Sequence, residues 1–290
     1  MKTDFFEQNK ANLSQFIATA LAEDIGSGDH SANACLPVKS QKNAQLFAKQ
    51  KGIVAGITLA EKIFKHYDPS LQFESTLEEG AAVENGSLIF EIAGNARSIL
   101  ATERLVLNCM QRMSGVAYKT KQLQQMIAHT QCQLLDTRKT TPNFRLPEKW
   151  AVQIGGGTNH RMGLYDALMI KDNHIDFCGS LKKALEKTKN YLEKMKLSLP
   201  VIVEIRSTKE LQQAAKFPWI SRLLLDNHTP SELMQALYFL DGKFTTEASG
   251  NIQADSIIEM AETGVDYLSL GTLTYNTSIL DISLQAKNEK

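Results

Sequence analysis

A basic stretch between Asp136 and Ile175 carries most of the residues that could do chemistry. From Arg138 to Lys171 it contains six lysines or arginines and two acids, namely Arg138, Lys139, Arg145, Lys149, Arg161, Lys171, Glu148 and Asp166. The whole chain balances 32 basic against 32 acidic residues, so the positive excess is local. A local excess of positive charge in a neutral protein predicts a site for a small polyanion rather than a charged surface.

The cations of this stretch differ in what they can bind. Arg138 and Lys139 follow an apolar run; arginine binds carboxylates with two parallel hydrogen bonds, whereas lysine is a mobile point charge suited to phosphates. A solvated pair of loop charges is the alternative. Lys171 ends an apolar run, and a buried lysine there requires a neighbouring anion. His160 has no second histidine at metal-ligand spacing, so a hydrogen bond to an anionic substrate beside Arg161 fits better than metal binding.

Two acids end apolar runs further along the chain, Glu204 in VIVEI and Asp226 in LLLDN. Such a pair suits a sugar diol or Mg²⁺, which takes few protein carboxylates alongside substrate phosphates. Structural salt bridges from these acids to Arg206 or Lys171 are the alternative.

Small residues close the last two apolar runs, at Ser249, Gly250 and Gly271. They allow backbone N–H groups to approach an anion, and α/β barrels commonly bind phosphate at their final strands. The constellation therefore predicts a phosphate group, a second polyanion and Mg²⁺.

The elements that must position these residues repeat one pattern, in which an apolar run, a polar turn and a helical segment follow one another. The runs are Gln133–Leu135, Leu168–Ile170, Val201–Ile205, Leu223–Leu225, Phe244–Thr246 and Tyr267–Leu270. Strands alternating with helices predict a parallel sheet, and polar residues at the strand ends are typical of an α/β barrel. Because six strands are fewer than the eight of a complete barrel, an open doubly wound sheet is the alternative.

The first hundred or so residues follow a different pattern. Residues 11–23 and 57–67 have helical spacing, 44–50 has strand character, and 78–94 has the pattern of a strand pair. A long helix with an apolar stripe then starts near Arg97. This part of the chain is predicted to be a separate α+β domain.

Composition limits the class of protein. The chain is 43% hydrophobic and 22% charged, as expected for a soluble globular protein. The four cysteines form no CxxC pair, which predicts buried free thiols in a reducing compartment. The N-terminus has no apolar signal region, no apolar run reaches membrane-spanning length, and a pI near 7.0 argues against nucleic acid as the main partner. A cytoplasmic protein is predicted.

Eight motifs in order carry a family resemblance: EDIGSGD at Glu23–Asp29, ATERLVLNCMQRMSG at Ala101–Gly115, DTRKTTP, GGGTNHRMGL, IKDNHI, LLLDN, EASGNI and SLGTLT. Over nearly its whole length the chain resembles the quinolinate phosphoribosyltransferase family, whose members are also called nicotinate-nucleotide pyrophosphorylases (carboxylating). The resemblance implies that quinolinate and phosphoribosyl pyrophosphate, with Mg²⁺, give nicotinate mononucleotide, pyrophosphate and CO₂ on the de novo route to NAD.

The resemblance also implies roles for eleven residues. Quinolinate carboxylates would meet Arg138, His160 and Arg161, with Arg104 supplied by a neighbouring subunit. The pyrophosphate and the reacting groups would meet Lys139 and Lys171. The ribose hydroxyls and Mg²⁺ would meet Glu204 and Asp226, which makes these two acids, with Lys139 and Lys171, the predicted catalytic set. The 5-phosphate would meet Ser249, Gly250 and Gly271.

The fold implied by the resemblance is that of a type II phosphoribosyltransferase, with an N-terminal α/β sandwich and an incomplete, seven-stranded parallel α/β barrel. We expect the sandwich at residues 1–115 and the barrel at 116–275, with 276–290 packing back on the first domain. A dimer or hexamer with shared active sites is implied. Tyr275 departs from the histidine that many members carry there.

Three other functions compete with this interpretation. One is a sister protein of the same fold, such as the molybdenum-transport-associated relative. Another is nicotinate phosphoribosyltransferase, which makes the same product without decarboxylation. The third is a non-catalytic binding protein for nucleotides or RNA. The complete RKTTP, NHR and KDNH segments favour the carboxylating enzyme.

Overall fold

The structure, a computed structural model, describes residues 5–287. Those residues fall into two compact units. The first unit takes in the described residues of 1–121, 140–156 and 272–290, and the second takes in 122–139 and 157–271. The division expected between residues 115 and 116 falls inside one long helix, Ala96–Met126, and stays a prediction.

The first unit holds the described elements that begin before residue 127, together with two later helices and one later strand. Its helices are α1 (Phe5–Gln8), α2 (Lys10–Ile25), α3 (His30–Cys35), α4 (Ile57–Tyr67), α5 (Ala96–Met126, which continues into the second unit), α6 (Arg145–Ile154) and α12 (Thr272–Tyr275). Its strands are β1 (Gln41–Ala48), β2 (Gly52–Ile53), β3 (Gln72–Ser75), β4 (Ala82–Val83), β5 (Leu88–Asn95) and β12 (Ile282–Ala286).

Four of these strands form an antiparallel sheet in the order β12-β1-β5-β3, and β2 pairs with β4 separately. The C-terminal strand β12 therefore joins the sheet begun by β1. The strand pair predicted within 78–94 is wrong in its pairing, because β4 and β5 both form but each pairs with other strands. Phe64 of α4 packs edge-on against Phe90 of β5, with ring centroids 5.9 Å apart.

The second unit contains the elements β6 (Gln133–Leu135), β7 (Leu168–Ile170), α7 (Asp172–Cys178), α8 (Leu181–Met195), β8 (Val201–Ile205), α9 (Thr208–Ala214), β9 (Arg222–Asp226), α10 (Pro230–Leu240), β10 (Thr245–Ser249), α11 (Ile257–Glu262) and β11 (Tyr267–Ser269). All six predicted strands are present, and they pair in parallel in the order β6-β11-β10-β9-β8-β7.

This strand order confirms the predicted fold class. The first strand lies beside the last, as barrel closure requires, whereas a doubly wound sheet reverses its order at a switch point. A seventh strand is represented among residues 5–287 by a single parallel bridge from Thr158 to Leu135 at the β6 edge. Beyond Thr158 the chain turns away, because Asp136 binds the side chain of Asn159 and the backbone of His160 instead.

The register of the parallel sheet separates polar from apolar residues. Leu224 pairs with Glu204 on one side and with Glu247 on the other. Asp226 pairs with Ser249, two residues further along. Since side chains alternate between faces, these four polar residues share one face. The opposite face carries buried aliphatic residues, among them Leu223, Leu225, Ala248 and Leu268.

Serine and threonine caps fix where the helices of the second unit begin. Ser180 and Ser207 accept from backbone N–H groups at the starts of α8 and α9. Thr229 and Glu232 form a reciprocal capping box at the start of α10. Such caps satisfy N–H groups that have no partner inside the helix.

Composition predicted buried free thiols and no apolar run long enough to span a membrane. All four cysteines are free, and burial raises the pKa of the Cys109 thiol to about 12. Burial, with a smaller contribution from Asp266, does the same for Cys132. The expectation that all four are buried is wrong, because Cys35 is exposed and Cys178 half-buried. Within residues 5–287, no helix combines the length and apolarity needed to cross a membrane.

Candidate active site

Lys171 and Glu204 form an ion pair at the ends of neighbouring strands. The Nζ of Lys171 lies 3.1 Å from Oε2 of Glu204. The expectation that Lys171 is buried is wrong. Strand β7 ends one residue earlier, at Ile170, and the Lys171 side chain is 45% exposed. The pairing matches the structural alternative considered for Glu204. An exposed lysine amine in contact with a nearly buried carboxylate is still placed to meet an anionic ligand.

Asp226 and Ser249 are joined at the ends of β9 and β10. Ser249 Oγ donates to Asp226 Oδ1 at 2.5 Å, and Asn227 Nδ2 donates to the other oxygen at 2.7 Å. Asp226 therefore takes neither Arg206 nor Lys171 as its partner. Arg206 instead pairs with Glu210 at 2.7 Å and with Asp176 at 3.3 Å.

Gly250 lies where no side chain fits. Its φ of +93° belongs to the region that favours glycine, and a Cβ there would lie 2.2 Å from Asn227 Oδ1. The N–H of Asn227 donates to Ser249 O at 2.8 Å, which ties the two strand-end loops together. Glycine is required here because the loops approach so closely, which leaves their backbone groups available at the strand ends.

The loop after residue 156 is held by the end of β6. Asp136, which is fully buried, accepts from the N–H of His160 at 2.8 Å and from Asn159 Nδ2 at 2.5 Å. The ring Nδ1 of His160 accepts from the N–H of Arg161 at 2.6 Å. Asp166 accepts from the N–H groups of Met162 and Gly163, at 2.7 and 2.9 Å. The loop is thus bound along its backbone.

Two guanidinium groups lie close to each other at this loop. Burial lowers the pKa of Arg161, the positive charge of Arg138 lowers it further, and Asp166 opposes both. Arg161 donates to Ala167 O at 3.2 Å, which holds its side chain in place. Within residues 5–287 neither arginine has a carboxylate at salt-bridge distance. Two cations on one loop, neither of them in a salt bridge, can bind the carboxylates of an anionic ligand.

A buried carboxylate lies against the His160 ring. Glu247 is fully buried, and its Oε2 lies 3.2 Å from His160 Nε2 and 2.9 Å from Arg222 Nη1. The Ser269 hydroxyl donates to Oε1. Burial by itself raises the pKa of Glu247, but hydrogen bonds from His160, Ser269 and Arg222 outweigh it and the pKa is lowered. Glu247 therefore stays ionised inside the sheet.

The remaining predicted residues occupy three settings. Lys139 is exposed after β6, and its N–H donates to Thr137 Oγ1 at 3.0 Å. Gly271 directly follows β11. Arg104 is exposed on α5 and belongs to the first unit, so it lies apart in the chain from the others. Tyr275 is 57% exposed in α12.

The residues predicted for Mg²⁺ fit that ion in number and chemistry. Glu204 and Asp226 end adjacent strands and face the same side of the sheet. Mg²⁺ commonly takes one or two protein carboxylates and completes its shell with phosphate oxygens and water. Within the part of the chain that the structure describes, no three histidine, cysteine or acidic side chains form a ready-made metal cage.

Sequence reasoning assigned no role to another buried acid, Glu148 of the first unit. Its carboxylate accepts from Arg112 Nε at 2.9 Å and from the N–H and hydroxyl of Thr141 at 3.0 and 2.8 Å. Arg112 also donates to Thr274 O and Thr277 Oγ1. Glu247 was missed as well, although its spacing of two from Ser249 put both on one face. No sequence signal marked Glu148.

Gly155 has a packing role rather than the flexible-turn role that a glycine run indicates. A Cβ there would lie 2.4 Å from Ala117 O and 2.7 Å from Thr120 Cβ. The end of α6 therefore touches α5 directly. Gly156, with φ +91°, turns the chain after the helix.

These features define an α/β-barrel enzyme for anionic substrates, with cations and acids gathered at the ends of parallel strands. The chain belongs to the quinolinate phosphoribosyltransferase family: "Quinolinate phosphoribosyl transferase, N-terminal domain" matches residues 29–114, and the C-terminal domain of the same family matches 116–285.

Relatives and solved structures agree with this membership. A Nicotiana glauca protein, "Quinolinate phosphoribosyltransferase [decarboxylating] 2, mitochondrial", is 43% identical over 96% of this chain and 83% of its own length. A Bacillus subtilis "Probable nicotinate-nucleotide pyrophosphorylase [carboxylating]" is 37% identical over 95% and 94%. The nicotinate-nucleotide pyrophosphorylase structure from Francisella tularensis matches with a TM-score of 0.87 and 36% identity, covering 96% of both chains.

Proposed function

We propose that this protein transfers the phosphoribosyl group of phosphoribosyl pyrophosphate to quinolinate and releases CO₂, giving nicotinate mononucleotide and pyrophosphate in NAD biosynthesis. Family membership over both domains supports the reaction. The observation that carries it is the position of Arg161, whose side chain is held by the carbonyl of Ala167 at 3.2 Å and lies within range of the Arg138 charge. Quinolinate has two adjacent carboxylates, which suit two adjacent guanidinium groups.

The substrate-binding proposal extends to the other predicted residues. Arg138, Arg161 and His160 form the quinolinate end, and Lys139 and Lys171 meet the pyrophosphate and reacting groups. Ser249, Gly250 and Gly271 close the strand ends around the 5-phosphate. The turn at Gly250 supports this, because its positive φ and missing side chain let the loop backbone lie close to the strand ends.

The chemistry follows from holding charges in place. Breaking the anomeric bond develops positive charge on the ribose, which the carboxylates of Glu204 and Asp226 stabilise from one face of the sheet. Attack by the pyridine nitrogen makes the ring cationic. Loss of the adjacent carboxylate as CO₂ then leaves a carbanion stabilised by that ring charge, and this carbon takes up a proton from water to give nicotinate mononucleotide. The protein orients both substrates, and the Lys171 amine stabilises the negatively charged leaving group.

Mg²⁺ is part of the proposal as a substrate-bound ion. Glu204 and Asp226 are the residues that would hold it, and it would neutralise charge on the pyrophosphate. The lysine paired with Glu204 is exposed, so the carboxylate can exchange that partner when a ligand arrives.

The test offers purified protein phosphoribosyl pyrophosphate and Mg²⁺, with quinolinate and nicotinate in parallel reactions. We expect nicotinate mononucleotide and one CO₂ per product from quinolinate alone. Chelation of Mg²⁺ should abolish turnover, and added Mg²⁺ should restore it. Turnover of nicotinate would indicate the non-decarboxylating activity, and binding of ligands without turnover would indicate a non-catalytic protein.

A homo-oligomer, dimer or hexamer, that shares its active sites is the proposed assembly. Arg104 is exposed on the long helix α5, and we propose that it serves the site of a neighbouring subunit. Inactive Arg104→Ala and Lys171→Ala chains, mixed and reassembled, should then recover part of the activity, since some mixed sites carry both native residues. Mixed oligomers that form and remain inactive would rule out sharing. A cytoplasmic location stays a prediction, since some plant relatives are named mitochondrial or chloroplastic.

A further inference from the structure

The backbone that carries Arg161 is fixed by a series of acceptors. The N–H of Thr158 donates to Leu134 O at 2.8 Å, and the N–H of His160 donates to Asp136 at 2.8 Å. Asp166 takes the two N–H groups that follow Arg161. These acceptors are a strand carbonyl and two carboxylates. The N–H of Arg161 itself depends on an imidazole ring, which can rotate unless something holds it.

The hydrogen bond at 2.6 Å from Arg161 N to His160 Nδ1 fixes the tautomer of the ring. A nitrogen that accepts an N–H carries no proton of its own, so the ring proton lies on Nε2. That nitrogen is 3.2 Å from Glu247 Oε2. Nδ1 of His160 therefore accepts from Arg161, and Nε2 faces the Glu247 carboxylate.

Glu247 is itself held rigidly. Arg222 lies 2.9 Å from the same oxygen that faces His160, and the Ser269 hydroxyl donates to the other oxygen. The Arg222 guanidinium stacks on the Tyr267 ring, 4.4 Å from its centroid. The buried Glu247 carboxylate, held by Arg222 and Ser269, is therefore fixed in position against the imidazole.

We propose that Glu247 is a positioning residue for quinolinate recognition, acting through His160 on Arg161. Glu247 holds the Nε2 side of the ring, so that Nδ1 meets the N–H of Arg161 and keeps this arginine beside Arg138. This inference rests on the proposed function and deepens it.

The first test is Glu247→Gln, which removes the charge at nearly constant volume. We expect quinolinate to bind about tenfold more weakly in calorimetry, with phosphoribosyl pyrophosphate unchanged within twofold. Glu79→Gln is the control, because Glu79 is likewise a carboxylate that accepts on both oxygens, from the N–H groups of Gly56 and Thr58, but it lies in the first unit. A folded Glu247→Gln protein with unchanged quinolinate affinity would overturn the proposal.

A second pair of variants separates positioning from direct contact. Asparagine places its amide oxygen near the Nδ1 position, whereas glutamine places its amide nitrogen near the Nε2 position. His160→Asn should therefore keep more quinolinate affinity than His160→Gln, because it still accepts from Arg161. The opposite order would mean that Nε2 serves the substrate directly.

Nitrogen-15 spectra of the histidine rings test the contact without any substrate or variant. In the unchanged protein at neutral pH, the His160 signals should report a proton on Nε2 alone. A proton on Nδ1 would overturn the inference even if quinolinate binds. Failure of the unchanged protein to bind quinolinate would instead overturn the proposed function, whatever the ring spectrum reports.

Discussion

Glu148→Ala should lower the free energy of unfolding by about 1–3 kcal/mol, because it leaves the partly buried guanidinium of Arg112 and two polar groups of Thr141 without their acceptor. Glu148 is fully buried, and Arg112 and Thr141 both bind its carboxylate. Arg112 also reaches residues 274 and 277, so one guanidinium joins three segments of the first unit. Urea unfolding followed by circular dichroism measures the loss.

A surface ion pair provides the control for this prediction. Glu262 pairs with His129 at 2.9 Å, but both side chains are about half exposed. Exposed pairs contribute roughly 0–1 kcal/mol, since water solvates the charges well. Glu262→Ala should therefore leave the unfolding midpoint almost unchanged. Similar losses in the two variants would mean that burial of Glu148 does not determine its contribution.

Arg138→Ala should weaken quinolinate binding about tenfold to a hundredfold, because a charge-assisted hydrogen bond contributes roughly 1.5–3 kcal/mol. Phosphoribosyl pyrophosphate should bind almost as before, since lysines meet its phosphates in the proposal. Relief of repulsion on Arg161 offsets part of the loss, as the two guanidinium charges interact. Calorimetric titration with each substrate separately gives both affinities.

Arg206→Ala is the matched control for Arg138→Ala. Arg206 also follows a strand of the barrel sheet, but its guanidinium is already bound by Glu210 and Asp176. Its removal should change quinolinate affinity less than threefold, by roughly the small contribution of an exposed ion pair. Equal losses of both substrates in Arg138→Ala would contradict its assignment to quinolinate.

The barrel strands could be predicted because local pattern and burial agree there. Val201–Ile205 is a run of residues that favour strands and are buried on both faces, and it forms β8 with the predicted bounds. The elements of the first unit are less predictable from local sequence patterns. α6 escaped notice because Pro147 interrupts its sequence pattern, although a proline in the first turn needs no N–H partner. β12 escaped notice because its partner β1 lies at the other end of the chain.

For the candidate site, the sequence predicts which residues lie at the strand ends but not which of them contact each other. Glu204, Asp226 and Ser249 could be identified because they follow apolar runs and parallel strands end at one edge. The contacts between them could not be identified in the same way. Lys171 was expected to be buried because nothing local reveals that the strand stops at Ile170. The Glu247 contact with His160 joins distant segments, so no spacing rule reveals it.

The interleaving of the first unit has a consequence for the order in which the protein can fold during synthesis. The sheet that begins with β1 stays open at one edge until β12 has been made, near the other end of the chain. At ribosomal speeds of roughly 5–20 residues per second, that edge waits for tens of seconds. Unpaired strand edges attract other chains. During that interval the nascent chain can therefore associate with other chains at the β1 edge.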